Sequence, residues 1–286
     1  MRESWRKLTA LRYMANAIEN GSGHNAMRLI SGLKDGLTAL AYPAQCRVCG
    51  AMIDRYDDGV ACNACWADAE ITPLFDGALC GKCGHPLAGL GISERACGGL
   101  ATSLCGMCGE LEFTTARACG AYSGALEASI LFLKSYPHLC RRLRRLIAQT
   151  FVAHQAVLAA EVIIPVPLHP KRQRERGFNQ AEIVARVIAR HSRLPLATHM
   201  LSRSKPTERH RAGLDARDRA RSVADAFRVI ERRAVINASI LLIDDLFTTG
   251  GTLSAAARTL MDAGARRVGV LTVARVVAAA PARRAR

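Results

Sequence analysis

Eight of the eleven cysteines form four Cys-x-x-Cys pairs, and their spacing indicates metal chemistry. A tight turn brings both sulfurs of such a pair to one side, and two pairs complete the tetrahedral all-thiolate shell that suits zinc. Four cysteines leave no open coordination position, so the zinc is expected to be structural rather than catalytic. The candidate ligands are Cys46, Cys49, Cys62, Cys65, Cys80, Cys83, Cys105 and Cys108.

Taken in sequence order, the pairs predict two zinc ribbons, one over residues 46–65 and one over residues 80–108. A single occupied site, with the other pairs degenerate, is the alternative. Disulfides are rare in a reducing cytoplasm, and a redox pair normally occurs once beside a βαβ pattern, so both are less favoured. The three remaining cysteines, Cys97, Cys119 and Cys140, are expected to be buried thiols. Cys97 is also a competing candidate for a zinc ligand.

A second group of polar residues lies in the stretch ILLIDDLFTTGGTL, residues 240–253. Its four aliphatic residues predict a buried strand, and Asp244 and Asp245 follow at the carboxyl end, where parallel α/β sheets bind ligands. Glycine amides, threonine hydroxyls and the start of a helix come next, and together they can hold a phosphate. The candidate phosphate-binding residues are Thr248, Thr249, Gly250, Gly251 and Thr252.

The combination of paired acids and phosphate donors indicates the class of ligand. Two carboxylates would repel a phosphate, but they accept hydrogen bonds from the adjacent hydroxyls of a neutral diol. A diol on the sugar that carries the phosphate indicates a ribose 5-phosphate group. The P-loop pattern G-x-x-x-x-G-K-[ST] is absent, so this is not a Walker site. An acidic strand–helix turn that binds nothing is the alternative.

Strands and helices that could position these residues alternate along the second half of the chain. Short apolar runs predict strands at EVIIPVP, THMLSR, SILLIDD and RRVGVLTVAR. Helices are predicted from residue 122 to 160, from 181 to 191, and over TLSAAARTLMDAGA, where Gly264 ends the helix. This alternation predicts a parallel α/β sheet with helices on both faces.

Two basic segments lie among these elements. The segment LHPKRQRERGFNQ, residues 168–180, follows the first predicted strand and is expected to be a loop. The other segment, CRRLRRL, is predicted to be helical, and its arginines form either a solvated face or a ridge that binds anions. Those arginines are Arg141, Arg142, Arg144 and Arg145.

The chain has 286 residues, and its 40 Lys and Arg exceed its 24 Asp and Glu, which gives a formal charge of +16. Such an excess favours polyanionic partners, either phosphates or nucleic acid. A solubility charge in an arginine-rich proteome is the alternative. No run of about 18 apolar residues predicts a membrane span, and the N-terminus lacks the apolar core of a signal peptide. The protein is therefore expected to be cytoplasmic.

Two motifs carry a family resemblance. ILLIDDLFTTGGTL resembles the signature with which type I phosphoribosyltransferases bind phosphoribosyl pyrophosphate (PRPP). PVPLHPKRQRERGFNQAEIVA, ALEASILFLK and the four cysteine pairs resemble, in the same order, the ComF family of competence and DNA-utilisation proteins. The resemblance covers roughly residues 38–275. It implies a type I phosphoribosyltransferase-like parallel sheet preceded by a small double zinc ribbon.

The resulting domain expectation has four parts. Residues 1–37 are an N-terminal extension, 38–115 a double zinc ribbon, 116–278 a phosphoribosyltransferase-like domain, and 279–286 a basic tail.

The resemblance also implies roles for individual residues. Asp244 and Asp245 would hold the ribose hydroxyls beside C1 and act in catalysis, while the Thr-Gly loop would hold the 5′-phosphate. Lys171 and Arg172 would meet the diphosphate, together with Mg²⁺. Residues 203–222 occupy the position of a mobile flap. This flap departs from the family pattern, with His210 or Arg211 in place of a glutamine and Ser222 in place of an asparagine.

Three functions are compatible with these observations. The first is a PRPP-binding protein that handles single-stranded DNA during DNA uptake or utilisation, with a protein partner docked on the zinc ribbon. An aromatic content of only 5% provides few stacking platforms for single strands. The second is an active phosphoribosyltransferase in nucleobase salvage or modification, for which the chain shows no acceptor site. The third is a PRPP sensor without catalysis.

Overall fold

The computed structural model describes residues 44–53, 59–71, 79–87, 93–97, 100–106, 108–204 and 226–277. The expected N-terminal extension, the basic tail and nearly all of the expected flap lie outside these residues. From Ala44 onward the chain forms one compact unit. In its first part lie helix α1 (Asn63–Ile71) and an antiparallel hairpin of β1 (Ser93–Cys97) and β2 (Leu100–Leu104).

The main sheet has four parallel strands in the order β3-β8-β7-β4. These are β3 (Thr115–Ala121), β4 (Val162–Pro165), β7 (Ser239–Phe247) and β8 (Arg267–Arg275). A short antiparallel pair, β5 (Leu201–Arg203) and β6 (Phe227–Val229), precedes β7 in the chain. The aliphatic run predicted to be buried therefore lies in β7, between two neighbouring strands.

Helices cover both faces of this sheet, as predicted. They are α2 (Gly124–Leu133), α3 (Arg141–Ala153), α4 (Gln155–Leu158), α5 (Pro170–Arg176), α6 (Gln180–Ser192), α7 (Arg232–Val235) and α8 (Gly251–Asp262). Ile240 and Leu242 pack in one core cluster with α8. Leu241 and Ile243 pack in the other cluster, with α2, α3 and α6. The alternation arises because successive side chains of a strand point to opposite faces.

Several elements differ from the sequence prediction. The edge strand β3 was not predicted, because its sequence TARACGA has only one β-branched residue, Thr115, and none of the aromatic residues that signal strands. The basic segment predicted to be a loop is mostly helix α5, which begins after the His169 cap and ends at Gly177 in the left-handed region. The other predicted strands and helices are present. No helix among the described residues is long and apolar enough to span a bilayer.

Candidate functional site

The eight paired cysteines form two clusters in the sequential pairing that the spacing predicts. Within each cluster the four sulfurs lie within 4.8 Å of one another. The first contains Cys46, Cys49, Cys62 and Cys65, and the second contains Cys80, Cys83, Cys105 and Cys108. All eight are free thiols, so the disulfide alternative is wrong for these pairs.

The sulfur spacing fits a tetrahedral zinc site. A Zn–S bond of about 2.3 Å places tetrahedral sulfurs about 3.8 Å apart. The Sγ–Sγ distances are 3.6 Å for Cys49 and Cys62, 3.5 Å for Cys80 and Cys108, and 3.4 Å for Cys83 and Cys105. Both clusters are therefore shaped for a structural zinc ion with no open position.

Each cluster begins with the same turn. The Gly50 amide donates to the Cys46 carbonyl at 2.9 Å, and the Gly84 amide donates to the Cys80 carbonyl at 2.8 Å. Both glycines have positive φ, 76° and 67°, which a glycine adopts without steric cost. Backbone amides also point at sulfur, as from Cys105 to the Cys80 Sγ at 3.3 Å. The turns thus direct two sulfurs of each cluster to a common point.

The two clusters differ in burial. In the first, Cys49 is exposed and Cys65 half-buried, whereas all four ligands of the second are buried. Of the remaining cysteines, Cys119 and Cys140 are buried as expected. Burial raises the pKa of Cys119 to about 12, so it stays a neutral thiol. The side chain of Cys97 lies outside the described part of the structure.

The two acids of the PRPP-like motif lie in β7, which continues to Phe247, two residues beyond the predicted strand SILLIDD. Strand β4 pairs with β7 only as far as Pro165 and Ile243. Beyond that point β7 continues beside β8 alone, with Asp244 opposite Thr272. The acids therefore lie at the carboxyl edge of the sheet, beyond the end of β4, where ligands of parallel sheets bind.

The pleat of β7 is interrupted at these acids. A regular strand would place Ile243 and Leu246 on opposite faces, yet both pack against the same core cluster, and Phe247 packs against the other. The register with β8 continues in step across the acids, from Asp244 opposite Thr272 to Leu246 opposite Ala274, so no extra residue is inserted.

Electrostatics distinguish the two carboxyl groups. Asp244 Oδ1 accepts a hydrogen bond from the Asp245 amide at 2.9 Å. Burial, and then the charge of Asp245, raise the pKa of Asp244 well above its ordinary value. The Oδ2 atom of Asp245 is buried without a hydrogen-bond partner. A buried acceptor left unsatisfied is costly, and a hydroxyl donor of a ligand would satisfy it.

The structure adds two residues that the sequence prediction missed. Arg203 ends β5, lies 5.3 Å from the centre of the Phe227 ring, and has two buried nitrogens, Nε and one Nη, without hydrogen-bond partners. Burial lowers its pKa, and the nearby charge of Asp244 opposes that shift. Tyr122 follows β3, and burial together with the charges of Glu127 and Asp245 raises its pKa. Neither residue belongs to a recognisable spacing motif.

The Thr-Gly loop leads directly into α8, as predicted. Gly250 caps the helix with φ 82°, and no side chain caps the first helical amides. A Cβ atom at Gly250 would lie 2.8 Å from the Phe247 ring and 3.1 Å from Leu111, so only glycine fits here. Thr248 and Thr249 are exposed. Exposed hydroxyls beside uncapped helical amides are the donors that a phosphate needs.

The basic residues assigned to the diphosphate lie on α5. Lys171 and Arg172 are exposed, and the charge of Arg172 adds to the lowering of the Arg203 pKa, so these two arginines are close. Arg172 and Lys134 also line an open cleft of about 330 Å³, with Ser135, Glu175 and Arg176.

The four arginines of α3 are exposed or half-exposed. The flap residues His210, Arg211 and Ser222 fall outside the described residues.

Comparison with known proteins supports two parts of this description. The double zinc ribbon domain matches residues 37–108. Competence protein F of Haemophilus influenzae is 35% identical over 123 residues, 43% of this chain and 53% of that protein. Competence protein ComFC of Bacillus subtilis is 36% identical over 106 residues, 36% of this chain and 39% of that protein.

The DNA utilization protein YhgH of Escherichia coli (strain K12) is 30% identical over 115 residues, 40% of this chain and 49% of that protein. The matched segments span about half the length of these relatives, or less.

Solved structures give a weaker likeness. The glutamine PRPP amidotransferase from B. subtilis is 20% identical, with a TM-score of 0.31, over 46% of this chain and 25% of that one. TT1426 from Thermus thermophilus is 19% identical, with a TM-score of 0.27, over 51% of this chain and 85% of that one. The fold class follows from the parallel sheet order and the two cysteine clusters. The double zinc ribbon and the likeness to competence protein F and ComFC, over less than half of the chain, support a place in the ComF family.

Proposed function

We propose that the protein binds PRPP or a related ribose 5-phosphate ligand at the carboxyl end of β7. The observation that supports this most is the unsatisfied Oδ2 atom of Asp245, which lies beyond the end of β4 on the strand that leads into the uncapped start of α8. Asp244 and Asp245 hold the ribose hydroxyls. Thr248, Thr249, Gly250, Gly251 and Thr252 hold the 5′-phosphate.

Basic side chains provide the site for the diphosphate. Arg203 has unsatisfied nitrogens within electrostatic reach of Asp244 and Arg172. An anionic group between these arginines relieves their mutual repulsion and satisfies the buried nitrogens. Lys171 adds a further charge from α5, and Mg²⁺ bound with the ligand neutralises the remaining oxygens.

Calorimetric titration with PRPP and Mg²⁺ tests this assignment. We expect Asp245→Asn to weaken PRPP binding at least about tenfold, because a hydrogen bond to a charged group contributes roughly 1.5–3 kcal/mol. Asp262→Asn, at the exposed end of α8, is the matched control and should bind like the parent. Equal PRPP affinity in the parent and in Asp245→Asn would remove the ligand assignment.

We propose further that this ligand site acts in the handling of single-stranded DNA, in the cytoplasm. Two observations support that role. The relatives are named for competence and DNA utilization, and α5 has exposed basic residues, in a chain of formal charge +16. Lys and Arg contacts to phosphates give binding that weakens steeply with salt.

Fluorescence anisotropy with a labelled single-stranded oligonucleotide tests the DNA role. The double variant Lys171→Glu/Arg174→Glu should weaken binding and reduce its salt dependence. Arg190→Glu reverses an exposed charge on α6 and should have a much smaller effect. Binding that does not change with salt, or that is unaffected by the α5 variant, would contradict the proposal.

Phosphoribosyl transfer is a second candidate, and the placement of Arg203 favours it. In that reaction a nitrogen nucleophile forms a bond to ribose C1, and the C1–O bond breaks with its electron pair leaving on pyrophosphate. The nucleophile releases its proton to solvent. Arg203 and Arg172 would stabilise the charge on the departing pyrophosphate. Pyrophosphate release from PRPP, lost in Arg203→Met, would establish transfer; PRPP binding without release indicates a sensor.

A further inference from the structure

Two arginines of the main sheet are buried without an acidic partner. Arg117 in β3 is 9% exposed, and Arg275 in β8 is 4% exposed. The ion pairs among the described residues include neither of them. Two uncompensated cations in one interior would be strongly destabilising, so an anion is expected nearby.

Both guanidinium groups contact the second cysteine cluster. Arg117 Nη1 donates to the Gly81 carbonyl at 3.3 Å, and Arg275 Nη1 donates to the Cys83 carbonyl. Gly81 lies between the two cysteines of the first pair in this cluster. Both guanidinium groups thus donate hydrogen bonds to the same turn of the chain, and this turn carries two of the four sulfur ligands.

The charges also match. Four thiolates around Zn²⁺ leave a net charge of −2, and two arginines supply +2. The second cluster is buried at every ligand and therefore needs compensation from the protein. At the first cluster Cys49 is exposed, so water screens part of its charge.

We propose that Arg117 and Arg275 are the counter-charges of a zinc tetrathiolate in the second cluster, and that they couple this zinc to the phosphate loop. The guanidinium carbon of Arg275 lies 4.6 Å from the centre of the Phe247 ring. That ring is the nearest obstacle to a Cβ atom at Gly250. The Arg275 side chain thus links a sulfur-bearing turn to the loop that holds the phosphate.

A second path runs through the end of the ribbon. The Leu111 amide donates to the Cys108 carbonyl at 3.2 Å, and the Leu111 side chain is the other neighbour of Gly250. The Glu112 amide donates to Ser254 Oγ in α8 at 3.0 Å. Loss of the second zinc therefore frees two buried charges and loosens both supports of the loop. This coupling rests on the proposed function of the loop.

Zinc competition in the full-length chain tests the charge assignment. Cys46→Ser/Cys49→Ser removes the first site, so that one zinc remains to be measured against a chromogenic chelator. In this background Arg117→Met and Arg275→Met should each weaken zinc binding about ten- to hundredfold, the usual effect of removing a group that supports metal ligands. Arg47→Met, an exposed arginine beside the first cluster, should leave the remaining affinity unchanged.

A charge-matched pair covers the case in which the methionine variants do not fold. Arg275→Lys should bind zinc more tightly than Arg275→Gln, since only lysine keeps the positive charge. Equal zinc affinity in this pair, or unchanged affinity in the methionine variants, would overturn the charge assignment. Calorimetry with PRPP then tests the coupling. Protein without zinc in the second cluster should bind PRPP more weakly than the zinc-loaded protein. Equal PRPP affinity in the two forms would overturn the coupling. Failure of the zinc-loaded parent to bind PRPP would instead contradict the proposed function.

Discussion

Asp244 is the residue in which folding and ligand binding oppose each other most directly. Its carboxyl group is held beside Asp245 in a largely buried position, and both effects raise its pKa. In the unfolded chain it ionises near its ordinary pKa of 3.8. Between these two values the folded state holds the extra proton, so the free energy of unfolding falls as the pH rises through this window.

Replacement of Asp244 by asparagine should therefore stabilise the protein while weakening PRPP binding. The substitution removes the ionisation, and we expect a melting temperature roughly 2–4 °C higher near neutral pH. The gain should shrink at pH values below the window, where the parent carboxyl is protonated in both states. Thermal melts of the parent, Asp244→Asn and the control Asp262→Asn across pH measure this. A gain that is independent of pH would show that charge is not the cause.

The residues of the site differ in how far the sequence reveals them. The paired acids and the Thr-Gly loop occur in one continuous stretch, so their association follows from a single motif. Arg203 and Tyr122 lie within electrostatic reach of the paired acids, although they belong to segments far apart in the chain, and they show no spacing of their own. Their role depends on which strands are neighbours, and a single sequence does not specify that order.

At the scale of elements, the passage from β7 to α8 depends on one backbone conformation. Gly250 has φ 82°, and its missing Cβ leaves room for the Phe247 ring. Gly251, one residue later, has only Thr249 Oγ1 nearby, at 3.7 Å. The two adjacent glycines therefore differ in what a methyl group would meet.

We predict that Gly250→Ala lowers the free energy of unfolding by roughly 1–3 kcal/mol, the usual cost of a strained backbone position. It should also weaken PRPP binding, since the loop must shift to relieve the clash. Gly251→Ala, the adjacent control, should have little effect on stability. Urea unfolding and calorimetry compare the two. Equal stability of the two variants would contradict the packing argument at Gly250.

The elements that sequence analysis missed share a physical cause. Strand β3 has small residues and is stabilised by pairing with β8, a partner about 150 residues later. Helix α5 consists mainly of Arg, Lys, Gln and Glu, which are good helix formers, but its seven residues bury no side chain and give no apolar periodicity. Long aliphatic strands and amphipathic helices such as α6 were predictable because the apolar residues in their own sequences mark the buried face.

For the whole molecule, the two ribbons are integrated with the sheet rather than attached beside it. Cys46, Cys62 and Trp66 share a core cluster with α2, α3 and α6. The second ribbon, with Cys80 and Phe113, shares the cluster on the other face, with α8. Since each ribbon contributes to one of the two sheet cores, zinc loss should affect the sheet as well as the ribbons.

We predict that chelation opens the protein in two steps. The first cluster has an exposed ligand, Cys49, and should lose zinc first; the second is buried and should lose it later. Trp66 is fully buried beside Cys62, so in a Trp5→Phe background its emission should shift to longer wavelength in the first step. Amides of β3 and β8 should gain hydrogen exchange only in the second step.

Two cysteine variants separate these steps. Cys49→Ser should change Trp66 emission and leave the exchange of β3 and β8 close to that of the parent. Cys83→Ser should increase that exchange, because it disrupts the cluster packed on the sheet. If Cys83→Ser leaves the amide hydrogen exchange of β3 and β8 unchanged, the ribbons fold independently of the sheet. In that case the second zinc could not support the phosphate loop through the contacts of Arg275 and Leu111.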